Sequence, residues 1–542
     1  MISRRVIAVV AALSAATAVS ACTPPRSPHQ ATSVAGRSTI TGPVSWLLHA
    51  STDLGPARDA HVSTVVALSR RARPQRLLTW AREHGLQAQW SPGADWAAVT
   101  GPAVAMASAF GVPVRDYRSR SGQAFYAATN QASVPRAVAG EVTQVGRILS
   151  YRPRQLTALG RPRADVPANG LNPRQLLTAY NATSLASAGY TGKGSTVVFF
   201  EWSPPTQSDL DAFARQAGLP QFTVTMPGGS FSGPAGAVGE TEMDVEVVHA
   251  IAPDARLVVV NADATVAGND AGTVGQAIAK MYAATDSQFP GAVWSSSIGW
   301  ECDRMWTAAD LLPVEDALEH AEAHGTTSFT ASGDTDGLEC KGGQDFSAPP
   351  NQSDVGVDAV ASLPAMTSVG GTTLSTDPAG NWVAEAAWDS PSSSIGTGGG
   401  VDQLAGRPAW QHAQGISNAG DSTHRLVPDV SADADPYTGV SLVMQGQPAE
   451  GGGTSQAAPI WAGLTVLMDD YLAQHGGHLI GAINPVLYRI AQGATRPAFH
   501  DVTLGGNAVY RAGPGYDPVT GLGTPVTANL VADILDVQKG TS

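Results

Sequence analysis

The chain has 542 residues, 43% of them hydrophobic and 14% charged, with a formal net charge of −14. That length exceeds one ordinary domain and allows two or three. Beyond the N-terminus no stretch is long and apolar enough to span a bilayer, so a globular body outside the membrane is expected, and its acidic bulk argues against a nucleic-acid binder.

The chain opens with Arg4 and Arg5, an apolar run from Val6 to Val19, and Val19-Ser20-Ala21-Cys22. A positive start, a short apolar core and small residues form an export signal over residues 1–22. The cysteine resembles the lipid-attachment position of bacterial lipoprotein signals, so Cys22 is either a lipid anchor or incidental to an ordinary cleaved signal. After it only Cys302 and Cys340 remain, and two cysteines in an exported chain predict one disulfide.

Residues 23–40 are rich in Pro, Ser and Thr and predict a flexible tether. Residues 41–150 alternate helical and strand-like stretches, such as Arg76 to His84 and Trp96 to Thr100, which predicts a small α+β domain. Residues 151–170 carry Arg152, Pro153, Arg154, Gly160, Pro162, Pro167 and Gly170. That composition predicts an exposed linker open to proteolysis. Up to residue 168 there are 19 arginines, no lysine and 7 acidic residues, a balance of +12, and the rest of the chain carries −26. Opposite charges on two bodies predict mutual attraction. Arg70, Arg71, Arg73 and Arg76 are the candidates to hold carboxylates of the acidic body and depress their pKa values.

From residue 171 to 542 short β-branched runs recur at Thr196 to Phe200, Leu257 to Val260, Ala292 to Ile298 and Thr327 to Thr330. Helical stretches separate them, such as Glu242 to Ile251 and Ala308 to His324. The alternation predicts an α/β domain whose parallel sheet has helices on both faces, with its site at the carboxyl ends of the strands.

Three motifs carry chemistry. Gly453-Thr454-Ser455-Gln456-Ala457-Ala458-Pro459 places Ser455 at the start of an apolar helix, where positive potential favours a nucleophile; the plainer role of such a residue is an N-cap. In Gly239-Glu240-Thr241-Glu242-Met243-Asp244-Val245-Glu246, Glu240 and Asp244 lie four apart on one helical face. Glu242 and Glu246 are expected to face solvent. Two like carboxyls side by side raise one pKa and can share a proton, and a carboxylate base stays competent in acid where imidazole is protonated. Ala331-Ser332-Gly333-Asp334 follows a strand, and a protonated Asp334 there would donate to an oxyanion; its bland alternative is a turn Asp bonding its own backbone. A histidine base has two candidates. His324-Gly325-Thr326 fits a helix-to-strand turn better than a catalytic position. His249 lies nine residues after Glu240 and would replace the glutamate rather than join it.

Together Glu240-x-x-x-Asp244, Ser332-Gly333-Asp334 and Gly453-Thr454-Ser455 resemble the motif set of the sedolisins, the serine-carboxyl peptidases, in the family's order. Ser368-Val369-Gly370-Gly371-Thr372, Thr397-Gly398-Gly399-Gly400, Pro408-Ala409-Trp410-Gln411 and Pro428-Asp429-Val430-Ser431-Ala432 resemble its other landmarks. Residues 41–150 are similar to the kumamolisin-type activation domain. The resemblance implies a subtilisin-like fold and a precursor whose prodomain inhibits a peptidase acting on peptide or protein substrates. Ser455 would be the nucleophile, Glu240 the base, Asp244 its support and Asp334 the oxyanion partner, with Glu201 and Trp300 extending the carboxyl network. The chain departs from the family at Gly299-Trp300-Glu301, where Ser-Trp-Gly is common. Near the C-terminus the resemblance implies one calcium ion bound by the Asp501 and Asp517 carboxylates and the carbonyls of Val502, Gly513 and Gly515, as oxygen ligands suit that hard cation. The rival readings are a His-dependent subtilase and a surface lipoprotein that uses an inactive peptidase fold for binding.

Overall fold

The computed structural model describes residues 44–540 apart from 58–59, 121, 153–154, 157–160, 163–169, 229–230, 232–236, 263–271, 342–351, 391–393, 413–422 and 494–495. The export signal, Cys22 and the tether lie outside the described residues.

The N-terminal part has its own core. Strands Gln87–Gln89, Trp96–Pro102, His61–Leu68 and Val142–Val145 form an antiparallel sheet in that order. Helix Gln75–Glu83 buries Leu77, Trp80 and Ala81, the i, i+3, i+4 stripe of an amphipathic helix. These side chains pack with Val66, Val99, Met106 and Phe110.

In the C-terminal part, strands β1 (Thr196–Glu201), β2 (Arg256–Asn261), β3 (Val293–Ser296), β4 (Thr327–Ala331) and β5 (Thr367–Thr376) form a parallel sheet in the order β2-β1-β3-β4-β5. β5 also pairs in parallel with β7 (Val430–Asp433) and antiparallel with β6 (Trp382–Ala387). Alternate residues of a strand point to opposite faces. Val197 and Phe199 accordingly join one apolar cluster, with helices α1 (Val238–Ile251) and α4 (Thr454–Gln474). Val198 and Phe200 join another, with α2 (Val274–Gln288) and α3 (Ala308–Ala323). Helices cover both faces, as the strand–helix alternation predicts. The strand order reverses between β2 and β3, on either side of β1, so a crevice opens at their carboxyl ends.

The N-terminal domain docks on the first turns of α3. Both Asp310 carboxylate oxygens accept from the backbone N–H of Arg147, at 2.9 and 3.0 Å. The Arg147 guanidinium donates to the carbonyls of Met305, Arg304 and Trp306. Gly146 is required here, because a Cβ at that position would stand 2.2 Å from Asp310 Oδ1. Trp96 Nε1 donates to Asp316 at 2.6 Å, and Ala309 N–H donates to Gln144.

The charge expectation fails in detail. Among the described residues, only Arg71 of the four candidate arginines reaches a carboxylate of the acidic body, Asp316, at 4.0 Å and largely exposed. Arg70, Arg73 and Arg76 line a cavity of about 250 Å³ within their own domain, beside Glu141. Asp310, Asp316 and Glu319 are pushed up by burial, not held down by arginine. Desolvation outweighs the attraction because the contact is made by backbone, indole and one half-buried arginine rather than by exposed ion pairs.

Candidate active site

The site assembles where the crevice lies. β1 ends in Glu201, α1 carries Glu240 and Asp244 near its start, Ser297 follows β3, Asp334 follows β4, and Ser455 sits in the first turn of α4. All six side chains are buried. Gly453 precedes the helix at φ +81°, left-handed backbone that glycine adopts without strain.

A chain of carboxyls runs from Ser455 inward. Glu240 is raised well above the usual carboxylate range by burial and by the neighbouring Asp244, while Ser455 pulls the other way. Asp244 is raised by burial and by Glu201, against the Ser297 hydroxyl that donates to its Oδ2 at 2.6 Å. Burial and Glu240 raise Glu201, which accepts from Thr241 at 3.2 Å. Both Glu240 oxygens, Asp244 Oδ1 and Glu201 Oε1 are buried with no donor among the described residues. Facing carboxyl oxygens without donors are satisfied only when protons sit between them.

On the other side of Ser455, Oδ1 of Asp334 accepts from Thr454 N and Oγ1 at 2.8 and 2.7 Å, while Oδ2 is buried without a donor among the described residues. Burial pushes this carboxyl up to about 7. A Cβ at Gly333, φ +115°, would strike Glu339 Oε1 at 2.0 Å, so the turn that presents Asp334 needs glycine. A disulfide joins Cys302, after β3, to Cys340, after Asp334, tying together two loops at the carboxyl edge of the sheet.

Some expectations require correction. Glu242 and Glu246 do not face solvent; both are fully buried. They cap a hairpin, Ser441–Met444 with Gln447–Glu450: Glu246 accepts from Val443 N at 2.8 Å and Glu242 from Gln445 N at 3.0 Å, with Asp209 accepting from Gly446 N at 2.7 Å. Residues 240–251 of α1 are buried on every side, so the face opposite the catalytic pair meets protein instead of water. Trp300 does not extend the carboxyl chain. Its Nε1 has no partner among the described residues, its ring packs edge-on against Trp202, and its backbone N–H donates to Asp358. His249 is turned to the Pro220 carbonyl at 2.9 Å and stacks on Phe222, with burial lowering its pKa. His324 ends α3 before β4 begins, at the strand's amino end, away from Asp334. Sequence reasoning missed Ser297, which also donates to the Ser455 carbonyl at 3.1 Å, and Thr454, which orients Asp334. A serine directly after a buried strand was the available signal for Ser297.

The linker is not simply exposed. Gln155 and Leu156 pair antiparallel with Gly299 and Ile298. Arg161 and Pro162 pair antiparallel with Glu450 and Ala449. The first partner strand begins beside Ser297, and the second leads through Gly451–Gly453 to Ser455. The chain then returns to the body at Gly170, where a Cβ would meet Ser441 N at 2.7 Å.

At the C-terminal loop, Asp501 accepts from Gly515 N and Asp517 from Gly513 N, both at 2.9 Å. Thr520 Oγ1 reaches the Val502 carbonyl at 3.3 Å and Asp517 at 3.2 Å. Two carboxylates are thus held by the backbone of one loop, with the Val502 carbonyl linked to Asp517 through Thr520, and carboxylate and carbonyl oxygens are the donor type a hard cation takes.

Comparison with known proteins decides the family. Residues 64–150 match the activation domain of pro-kumamolisin, and residues 232–476 match the subtilase family. The chain is 30% identical over 479 residues to kumamolisin of Bacillus sp. (strain MN-32), covering 84% of this chain and 82% of that one. It is 31% identical over 459 residues to sedolisin of Pseudomonas sp. (strain 101), covering 80% and 74%. The chain belongs to the sedolisin family of serine-carboxyl peptidases. A solved structure of Pseudomonas sedolisin, a serine-carboxyl proteinase complexed with two molecules of pseudo-iodotyrostatin, superposes with a TM-score of 0.57 at 28% identity, covering 68% of this chain and 99% of that one. The protein is a serine-type peptidase made as a zymogen with its activation domain in place.

Proposed function

We propose that this sedolisin-family zymogen is exported, works in acid and processes itself, with Ser455, Glu240, Asp244 and Asp334 as its catalytic residues. One observation carries the reading: Glu240, Asp244 and Glu201 form a buried row ending at Ser455, with four oxygens that have no donor. Such a row is stable only while it holds protons, which suits a machine that operates at low pH.

In this mechanism Ser455 Oγ attacks the scissile carbonyl carbon as Glu240 takes the hydroxyl proton. Oδ2–H of protonated Asp334 donates to the oxyanion of the tetrahedral intermediate. Glu240 then gives its proton to the leaving amine, leaving an acyl-enzyme that water hydrolyses with Glu240 again as base. Asp244 holds Glu240 by a shared proton and is itself held by Ser297 and Glu201. Asp501 and Asp517, with the carbonyls of Val502, Gly513 and Gly515, would bind calcium, whose contribution is to fix the C-terminal loop.

The first substrate would be the chain's own linker. Its backbone pairs with strands leading to the site from both sides, at 155–156 and 161–162, which supports a cut in the interval between Leu156 and Arg161, itself outside the described residues. If the signal attaches lipid at Cys22, that cut also frees the peptidase from its anchor. The test is hydrolysis of a denatured protein substrate across pH. Wild-type protein should act in acid and fade toward neutrality while Ser455→Ala is inert. Equal activity in Ser455→Ala, or in Glu240→Gln, would overturn the assignment.

A further inference from the structure

His324-Gly325-Thr326 has no part in the chemistry above, yet His324 is not an idle helix end. His320 and His324 are four residues apart on α3, hence on one face. Their rings meet edge-on at 4.7 Å. Asp286 of the neighbouring helix α2 faces them, its Oδ2 2.8 Å from His324 Nδ1. One ligand atom from each of the three residues lies within 4.8 Å of the others. Asp286 is buried, and its Oδ1 has no donor among the described residues.

We propose that Asp286, His320 and His324 form a site for a zinc-class divalent ion. Around a tetrahedral ion with bonds near 2.0–2.1 Å, ligand atoms stand roughly 3.4 Å apart, and rotation of the two exposed imidazoles closes the remaining distance onto the fixed carboxylate. Two imidazoles and one carboxylate are the donors that zinc, nickel or copper selects, not calcium, so this site is chemically distinct from the oxygen cluster at Asp501 and Asp517. The cation would also sit at the C-terminal end of α3, where the helix dipole favours positive charge. Metal here would link α2 to α3, the helix that receives Arg147 of the activation domain at its other end and Trp96 near its middle. It therefore braces the layer on which the zymogen is assembled.

The experiment uses the full precursor at neutral pH with calcium saturating, since imidazole binds metal only without its proton. Zinc is titrated by calorimetry and thermal melting, and cobalt by its visible absorption as a reporter of tetrahedral nitrogen–oxygen coordination. Wild type should take up one zinc, melt higher with it, and give the cobalt bands. His320→Ala removes an exposed side chain and should melt like wild type without zinc. Its zinc affinity should fall at least about 10–100-fold, the loss that even a supporting partner of a ligand costs. Asp286→Asn should lose the cobalt bands as well. Zinc uptake in His320→Ala equal to wild type, absence of uptake in wild type, or uptake lost on Asp244→Asn but kept in His320→Ala would each overturn the site.

Discussion

The Ser297 hydroxyl donates to Asp244 Oδ2 at 2.6 Å and also reaches the carbonyl oxygen of Ser455. One small side chain thereby fixes the base's support relative to the nucleophile's helix. Hydrogen bonds to charged or proton-sharing groups are worth about 1.5–3 kcal/mol. Ser297→Ala should lower kcat about tenfold to a hundredfold with KM little changed, and should shift the pH profile because Asp244 loses the donor that pulls its pKa down. A structural role alone would leave the profile in place.

Glu240→Gln and Asp244→Asn should each cut kcat by about a thousandfold or more, as loss of a member of a catalytic triad does. His249→Ala should not, since that ring is committed to Pro220 and Phe222. Steady-state kinetics on the three variants decides between the carboxylate and the histidine base.

Buried carboxyls set the pH dependence of stability. Asp358 is pushed up to about 6, Asp334, Asp336 and Asp469 to about 7, and Glu339 to about 8, in each case chiefly by burial. An unfolded carboxyl ionises near 4. A folded pKa raised above that value contributes stability fully present below pH ~4 and lost as pH rises through the folded pKa. Thermal midpoints measured at constant calcium should be highest in acid and fall between about pH 4 and 8. A maximum at neutral pH would contradict this.

Asp501→Ala with Asp517→Ala should lower the melting temperature of the calcium-loaded protein and abolish its response to added calcium. An ion that binds only the folded state stabilises it by RT ln(1 + [L]/Kd). Melting curves with and without calcium give the answer, and an unchanged calcium response in the double variant would remove the site.

Prodomain release should depend on Arg147 and not on the outer arginines. Arg147→Ala deletes three donors to the 304–306 carbonyls and should speed processing. Replacing Arg70, Arg73 and Arg76 with glutamine should leave its rate and pH onset unchanged, as they face their own cavity. Raising salt should also have little effect, because the docking contacts are mostly partly buried hydrogen bonds rather than exposed ion pairs.

Much of the fold was legible because each central strand is a short β-branched run between helical stretches, from Thr196–Glu201 to Thr327–Ala331. The site motifs were legible because Glu240, Asp334 and Ser455 each stand at a junction of strand, turn and helix. What composition could not convey was burial. Glu242 and Glu246 look like a solvated face until the hairpin at 441–450 covers them. A +12 segment suggests ion pairing, yet docking rests on the Arg147 backbone and the Trp96 indole. Nor does the linker's sequence disclose that its backbone pairs with strands beside Ser297 and Ser455, since such pairing is made by main chain and is independent of side-chain pattern.

N-terminal sequencing of the precursor after incubation in acid, with Ser455→Ala beside it, bears most directly on the central claim. Wild type should yield one new N-terminus, produced by a cut between Leu156 and Arg161, while Ser455→Ala stays at full length with an unchanged melting curve. Processing of Ser455→Ala at the wild-type rate, or a wild-type cut outside that interval, would contradict the claim that the linker is the peptidase's first substrate.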